Sequence, residues 1–243
     1  MWWWSEVAMS RRLLKHPSGI LLVVQLLAVL VYPYMSNSGG GRVALELLGA
    51  VVLTLAIWSV RDSAGRTSIA IGLGVLASAL SITDALSPSF GVHLWAAILH
   101  ALFYFFAASN LMRYMLHDTV VTRDELFAVG AAFTLGAWAF AYMFDILQQL
   151  QPGCFIAAVD PEAERTWFEL LFLSFTNLSS TGLGDILPIT PVARSVVMIQ
   201  QLAGLGYVAL FVSRLVGLTI SRQMGSGSPG GPVRSAERPP RRS

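Results

Sequence analysis

Six apolar runs, at about 18–35, 43–60, 68–86, 92–116, 125–150 and 192–220, dominate the chain, with polar residues, glycine or proline between them. Each approaches the roughly 20 residues that a helix needs to cross a hydrocarbon core. Only 12% of the 243 residues are charged and 55% are hydrophobic, against about 25% charged in ordinary soluble domains. That balance excludes a single soluble core, and no polar stretch is long enough for a separate catalytic domain. The expectation is an all-α, multi-pass membrane protein with six transmembrane helices.

The basic residues set the expected orientation. With the N-terminus in the cytoplasm, thirteen of the sixteen Lys and Arg residues fall inside, and only Arg42, Arg165 and Arg194 fall outside. This asymmetry favours a cell or inner membrane location with both termini cytoplasmic. Trp2, Trp3 and Trp4, followed by Arg11, Arg12 and Lys15, read as an interfacial segment over 1–17 rather than a signal peptide, because no small-residue cleavage site follows the apolar run. Residues 223–243 are rich in Gly, Ser, Pro and Arg, so a disordered basic tail is expected there. The single cysteine, Cys154, excludes an intrachain disulfide framework; a free thiol is expected, with a bridge between subunits as the alternative.

The segment between the last two runs carries the chemistry. A Pro152-Gly153 break and a turret bearing Asp160, Glu162 and Glu164 lead into the apolar, helix-compatible run 166–178. At about 1.5 Å per residue this run is too short to span, so it is expected to enter the membrane and turn back. Ser179-Ser180-Thr181-Gly182-Leu183-Gly184-Asp185 then has poor helix propensity. Irregular backbone survives at membrane depth only where protein buries it or a water-filled path satisfies it. Glycine at alternate positions can adopt positive φ, which would let the carbonyls of Thr181, Gly182 and Leu183 face one axis above the Ser180 hydroxyl. The short helix before them would aim its partially negative C-terminus at the same point, favouring cations.

Residues 174–194, and after them Ile199 through Leu218, resemble the pore loop and inner helix of potassium channels, whose filter usually reads Thr-Thr-Val-Gly-Tyr-Gly-Asp. The resemblance covers roughly residues 165–220. It implies a pore domain over 117–222, with outer helix 125–150, pore helix 166–178, filter 180–184 and inner helix 192–220. It also implies a homotetramer in lipid that conducts dehydrated K⁺, with the ion held by Ser180, Thr181, Gly182 and Leu183 and the filter completed by Gly184. The departures are Ser180 for Thr, Thr181 for Val or Ile, and Leu183 for an aromatic. They motivate a second reading, a weakly selective monovalent cation channel. The family's partners of the Asp after the filter correspond to Phe172 and Thr176, leaving Asp185 with a hydroxyl partner or water.

Glu169, on the short helix, is expected to give structural support, with an intersubunit salt bridge to Arg165 as one form of it. Gly204 lies mid-way along the inner helix, where a gating hinge and close helix packing are both open readings. Arg214, near the inner end, is expected to snorkel to the interface. The region 18–116 has only Arg113 in its fourth run, which excludes a strong arginine voltage sensor, since each charge moved through 100 mV supplies only about 2.3 kcal/mol. His93 and His100 are about 10 Å apart along one helix, too far to share a haem iron. No enzyme activity, cofactor, resident metal or nucleic-acid partner is expected; a non-conducting membrane scaffold is the alternative from another class.

Overall fold

A computed structural model of the chain describes residues 17–35, 49–58, 64–87, 89–117 and 123–226. The expected interfacial segment before Pro17 and the tail beyond Ser226 lie outside the described residues. The elements in chain order are α1 (Pro17–Met35), α2 (Gly49–Trp58), α3 (Ala64–Leu86), α4 (Phe90–His117) and α5 (Arg123–Leu150). They are followed by β1 (Phe155–Ala157), α6 (Trp167–Leu178), β2 (Ile186–Pro188) and α7 (Pro191–Ser226).

Among the described residues, five helices are long and apolar enough to cross a membrane: α1, α3, α4, α5 and α7. The second expected span is described only over the ten residues of α2. The inner-helix boundary also moves, because α7 continues to Ser226 and takes in the first four residues of the expected disordered tail. The described chain is mostly helical, consistent with the all-α expectation, and carries besides a short antiparallel ladder that pairs Phe155 with Pro188, Ile156 with Leu187 and Ala157 with Ile186.

α5 is the central post, in contact with α1, α4, α6 and α7. Its sequence explains this role. Ala128, Ala131, Ala132, Ala137, Ala139 and Ala141 are all buried at 3% exposure or less, and small side chains let helix backbones approach closely when no hydrophobic gradient drives association. At its N-terminal start, Asp124 accepts hydrogen bonds from Ser18 N at 3.3 Å and Ser18 Oγ at 2.9 Å. A carboxylate at the first turn of α1 satisfies free amide groups there and complements the helix dipole. α4 lies against α5 of the same chain and is joined to it through only residues 118–122.

An aromatic cluster ties the outer helices to the start of α6. Trp167 meets Trp138 edge-on at 5.6 Å, Tyr142 at 5.5 Å and Tyr32 at 5.5 Å, while Tyr32 stacks on Phe168 at 4.9 Å. These rings come from α1, α5 and α6, so the first turn of α6 is fixed in two directions by large flat surfaces.

Candidate functional site

The twelve-residue helix α6 begins with a capping box. Thr166 Oγ1 accepts from Glu169 N at 3.3 Å, and Glu169 Oε2 accepts from Thr166 N at 2.7 Å. Two of the amide groups left free at a helix start are thereby satisfied. Glu169 Oε1 also takes Arg165 Nη1 at 3.2 Å, four residues apart in the same chain. The acid therefore supports its own helix, and its bridge to Arg165 forms within one chain.

Arg165 is the staple of the turret. Its guanidinium side chain is only 2% exposed and donates to the carbonyls of Val159, Asp160 and Ala163. Its main chain is locked to α5, with Arg165 N donating to Gln148 Oε1 at 2.8 Å and Gln148 Nε2 donating to Arg165 O at 2.9 Å. Cys154 is buried and free beneath this turret, packed with Phe144, Phe155 and Ile186. Burial pushes its thiol up to about 11.

At its C-terminus α6 is clamped between α5 and α7. Ser174, fully buried, donates from Oγ to Ala137 O at 2.6 Å. Gln200 of α7, also fully buried, donates from Nε2 to Ser174 Oγ at 2.6 Å and to Ser174 O at 3.0 Å. Gln201 Nε2 donates to Asn177 Oδ1 at 3.2 Å. Below these bonds α7 presses directly on the helix end. A Cβ at Gly204 would stand 2.8 Å from the carbonyl carbon and 3.0 Å from the Cα of Leu178, and it would collide with the Leu178 carbonyl oxygen. The close approach alone requires glycine at 204.

The exposed segment 179–185 hangs from the last carbonyls of α6. Ser179 N donates to Phe175 O at 3.0 Å and Ser180 N to Asn177 O at 3.0 Å. Thr181 N, at 2.9 Å, and Gly182 N, at 3.0 Å, both donate to Thr176 O. In a trans peptide the N–H and the preceding C=O point to opposite sides, and no peptide here is cis. The carbonyls of Ser180 and Thr181 therefore point away from α6. Two left-handed residues allow this path, Ser180 at φ 58 and Gly182 at φ 65. For a side-chain-bearing residue such as Ser180, that conformation costs about 1–2 kcal/mol. Of the two alternate glycines, Gly182 adopts positive φ, whereas at Gly184 and Asp185 the chain turns into the extended strand β2 instead.

The expected supports of Asp185 sit elsewhere. The Thr176 hydroxyl donates to Leu173 O at 2.9 Å, and Phe172 is 39% exposed. Asp185 contributes its main-chain carbonyl, which accepts from Ala158 N at 3.3 Å and extends the β1–β2 pairing. Thr176 does serve the loop, through its carbonyl rather than its side chain.

Two polar contacts hold the lower part of α7 to α5. Tyr207 OH donates to Val129 O at 2.6 Å, and Arg214 Nη2 lies 3.2 Å from Glu125 Oε2. The paired side chains are only 13% and 5% exposed. Arg214 thus turns inward to a carboxylate rather than snorkelling outward, since an ion pair compensates a desolvated charge better than lipid does. At the opposite end of the helices His93 bridges two acids, with Nδ1 at 2.7 Å from Asp84 Oδ2 and Nε2 at 3.4 Å from Asp145 Oδ2. His100 instead stacks on Tyr142 at 4.7 Å and bonds its own helix at Ala96 O. Among the described residues, no three His, Cys, Asp or Glu side chains are grouped to hold a metal ion.

Residues 129–220, from the first turns of α5 into the lower half of α7, match the family model of an ion channel domain. That match supports an ion channel family and a channel function, and with the five apolar helices it indicates a multi-pass membrane protein. No curated protein and no solved structure matches the chain.

Proposed function

We propose that the chain is a potassium-selective channel subunit, four copies of which surround one pore and pass dehydrated K⁺ between rings of filter carbonyls. The observation that carries this reading is the double acceptance at Thr176 O, which turns the Ser180 and Thr181 carbonyls away from α6 into an exposed position. Carbonyl rings of this kind substitute for the hydration shell of a monovalent cation. In this reading α6 is a re-entrant pore helix, 180–184 is the filter, and Ser180, Thr181, Gly182 and Leu183 hold the ions. Six spans, with the second around 43–60, place both termini in the cytoplasm of a cell or inner membrane.

A tetramer also accounts for α7. In the single chain this helix leaves Met198, Ile199, Leu202, Leu205 and Val208 between 47% and 72% exposed, a face suited to neighbouring subunits and the pore. The packing of α4 on α5 of the same chain supports outer helices that stand over their own subunit's pore domain in this reading. A weakly selective cation pore is the second reading, favoured by one feature: Leu183, 54% exposed, has no polar atom with which to brace the filter. Purified protein in K⁺-loaded liposomes tests the proposal. K⁺ efflux without matching Na⁺ flux, together with a tetrameric mass, is the expected result, and absence of both from well-folded protein would refute it.

A further inference from the structure

Gln200 and Ser174 are both fully buried, yet each sits in an apolar helix where a hydrophobic residue would pack at no polar cost. Their hydrogen bonds join three elements in a row: Gln200 of α7 donates to Ser174 of α6, and Ser174 donates to Ala137 O of α5. Gln200 Oε1 and, one turn further along α6, Asn177 Nδ2 find no partner among the described residues. The arrangement is therefore not one that maximises stability.

Its position suggests what it does. Ser174 lies two residues before Thr176 and three before Asn177, whose carbonyls hold the amides of Ser180, Thr181 and Gly182. Apolar packing is non-directional and would tolerate small rotations or slides of α6 between α5 and α7. A hydrogen bond has narrow limits of distance and angle, so the Gln200–Ser174–Ala137 chain fixes the rotation and depth of α6, and through them the loop.

We propose that Gln200, acting through Ser174, is a positioning residue that sets the geometry of the 180–184 filter and hence its discrimination between K⁺ and Na⁺. Gln200 does not touch the permeating ion. The inference rests on the pore reading above and adds to it a determinant of selectivity outside the filter itself.

The test replaces both partners with apolar residues of similar shape, Gln200→Leu with Ser174→Ala. Removing both ends of a buried bond is close to neutral for stability, so the thermal midpoint of the double variant is expected to match the wild type. The K⁺/Na⁺ permeability ratio from reversal potentials is expected to fall, because the rotation and depth of α6 are no longer fixed by directional bonds. Ser174→Thr keeps the hydroxyl and is expected to retain the wild-type ratio. If the double variant fails to assemble, Gln200→Met, which preserves volume, is read in the same way. A wild-type ratio in the apolar variant overturns the inference and leaves the channel intact. Loss of selective current already in the wild type overturns the pore reading, and the inference with it.

Discussion

Adding a single methyl group at Gly204 tests the packing of α7 on the end of α6 most sharply. In Gly204→Ala the new Cβ meets backbone, with the Leu178 carbonyl carbon at 2.8 Å and the Cα at 3.0 Å, where ordinary contact begins at 3.4 Å. The helix end must retreat by at least 0.6 Å, the difference between 3.4 and 2.8 Å. Overpacking of this kind costs about 1–3 kcal/mol, offset by about 1 kcal/mol from the better helix propensity of alanine. The net expectation is a loss of up to about 2 kcal/mol per chain. Gly72→Ala on α3 is the control, since nothing lies within 4 Å of its Cβ position and only the propensity gain of up to about 1 kcal/mol remains. Thermal denaturation of the purified protein in detergent reads both. Gly204→Ala as stable as the Gly72→Ala control would refute the close approach.

Three further perturbations separate the contacts described. Arg214→Met leaves the Glu125 carboxylate buried beside an apolar side chain and is expected to cost about 3–5 kcal/mol, while adding Glu125→Leu recovers most of it; a double variant no more stable than the single would contradict the pairing. Thr166→Ala removes the N-cap of α6 and should lower stability by about 1 kcal/mol, measured by the same denaturation. Cys154, its thiol pushed up to about 11, holds a thiolate fraction near 0.1% at pH 8, against roughly a quarter for a free cysteine, so iodoacetamide should label it more than a hundredfold more slowly in folded than in unfolded protein. Because the folded thiol keeps its proton longer than the unfolded one, its contribution to stability is complete below about pH 8.5 and is lost as pH rises towards 11. Rapid labelling at pH 8, or a spontaneous disulfide-linked dimer, would show that the thiol is not buried.

The parts of this architecture that depend on local pattern were readable from the sequence. Apolar length marked α1, α3, α4, α5 and α7 within a few residues, and the hydroxyl-rich, glycine-alternating stretch marked the loop after α6. What depends on distant partners was not. Phe155–Ala157 and Ile186–Pro188 are three residues each, too short to show an alternating period, and they pair only because α6 and its loop bring them together. A lone Gln200 in an apolar helix carries no signal until Ser174 is placed against it. Arg214 reads as an end-of-helix charge until Glu125, 89 positions away, is folded beside it. Ser180 at positive φ runs against residue preference, and the pull of the Asn177 and Thr176 carbonyls on successive amides accounts for it. Gly204 was visible as a glycine at mid-helix, but only tertiary structure names Leu178 as the reason.

The most direct measurement is the reversal potential of purified protein in a planar bilayer under opposed K⁺ and Na⁺ gradients, with Gly182→Asp as control. Gly182 holds φ 65 within the loop, and a carboxylate there would project from the segment assigned to carry the ions. A reversal close to the K⁺ equilibrium potential, abolished in the variant, is the predicted result. Current that is unaffected by Gly182→Asp, or that reverses near the Na⁺ equilibrium potential, would contradict the assignment of 180–184 as a potassium filter.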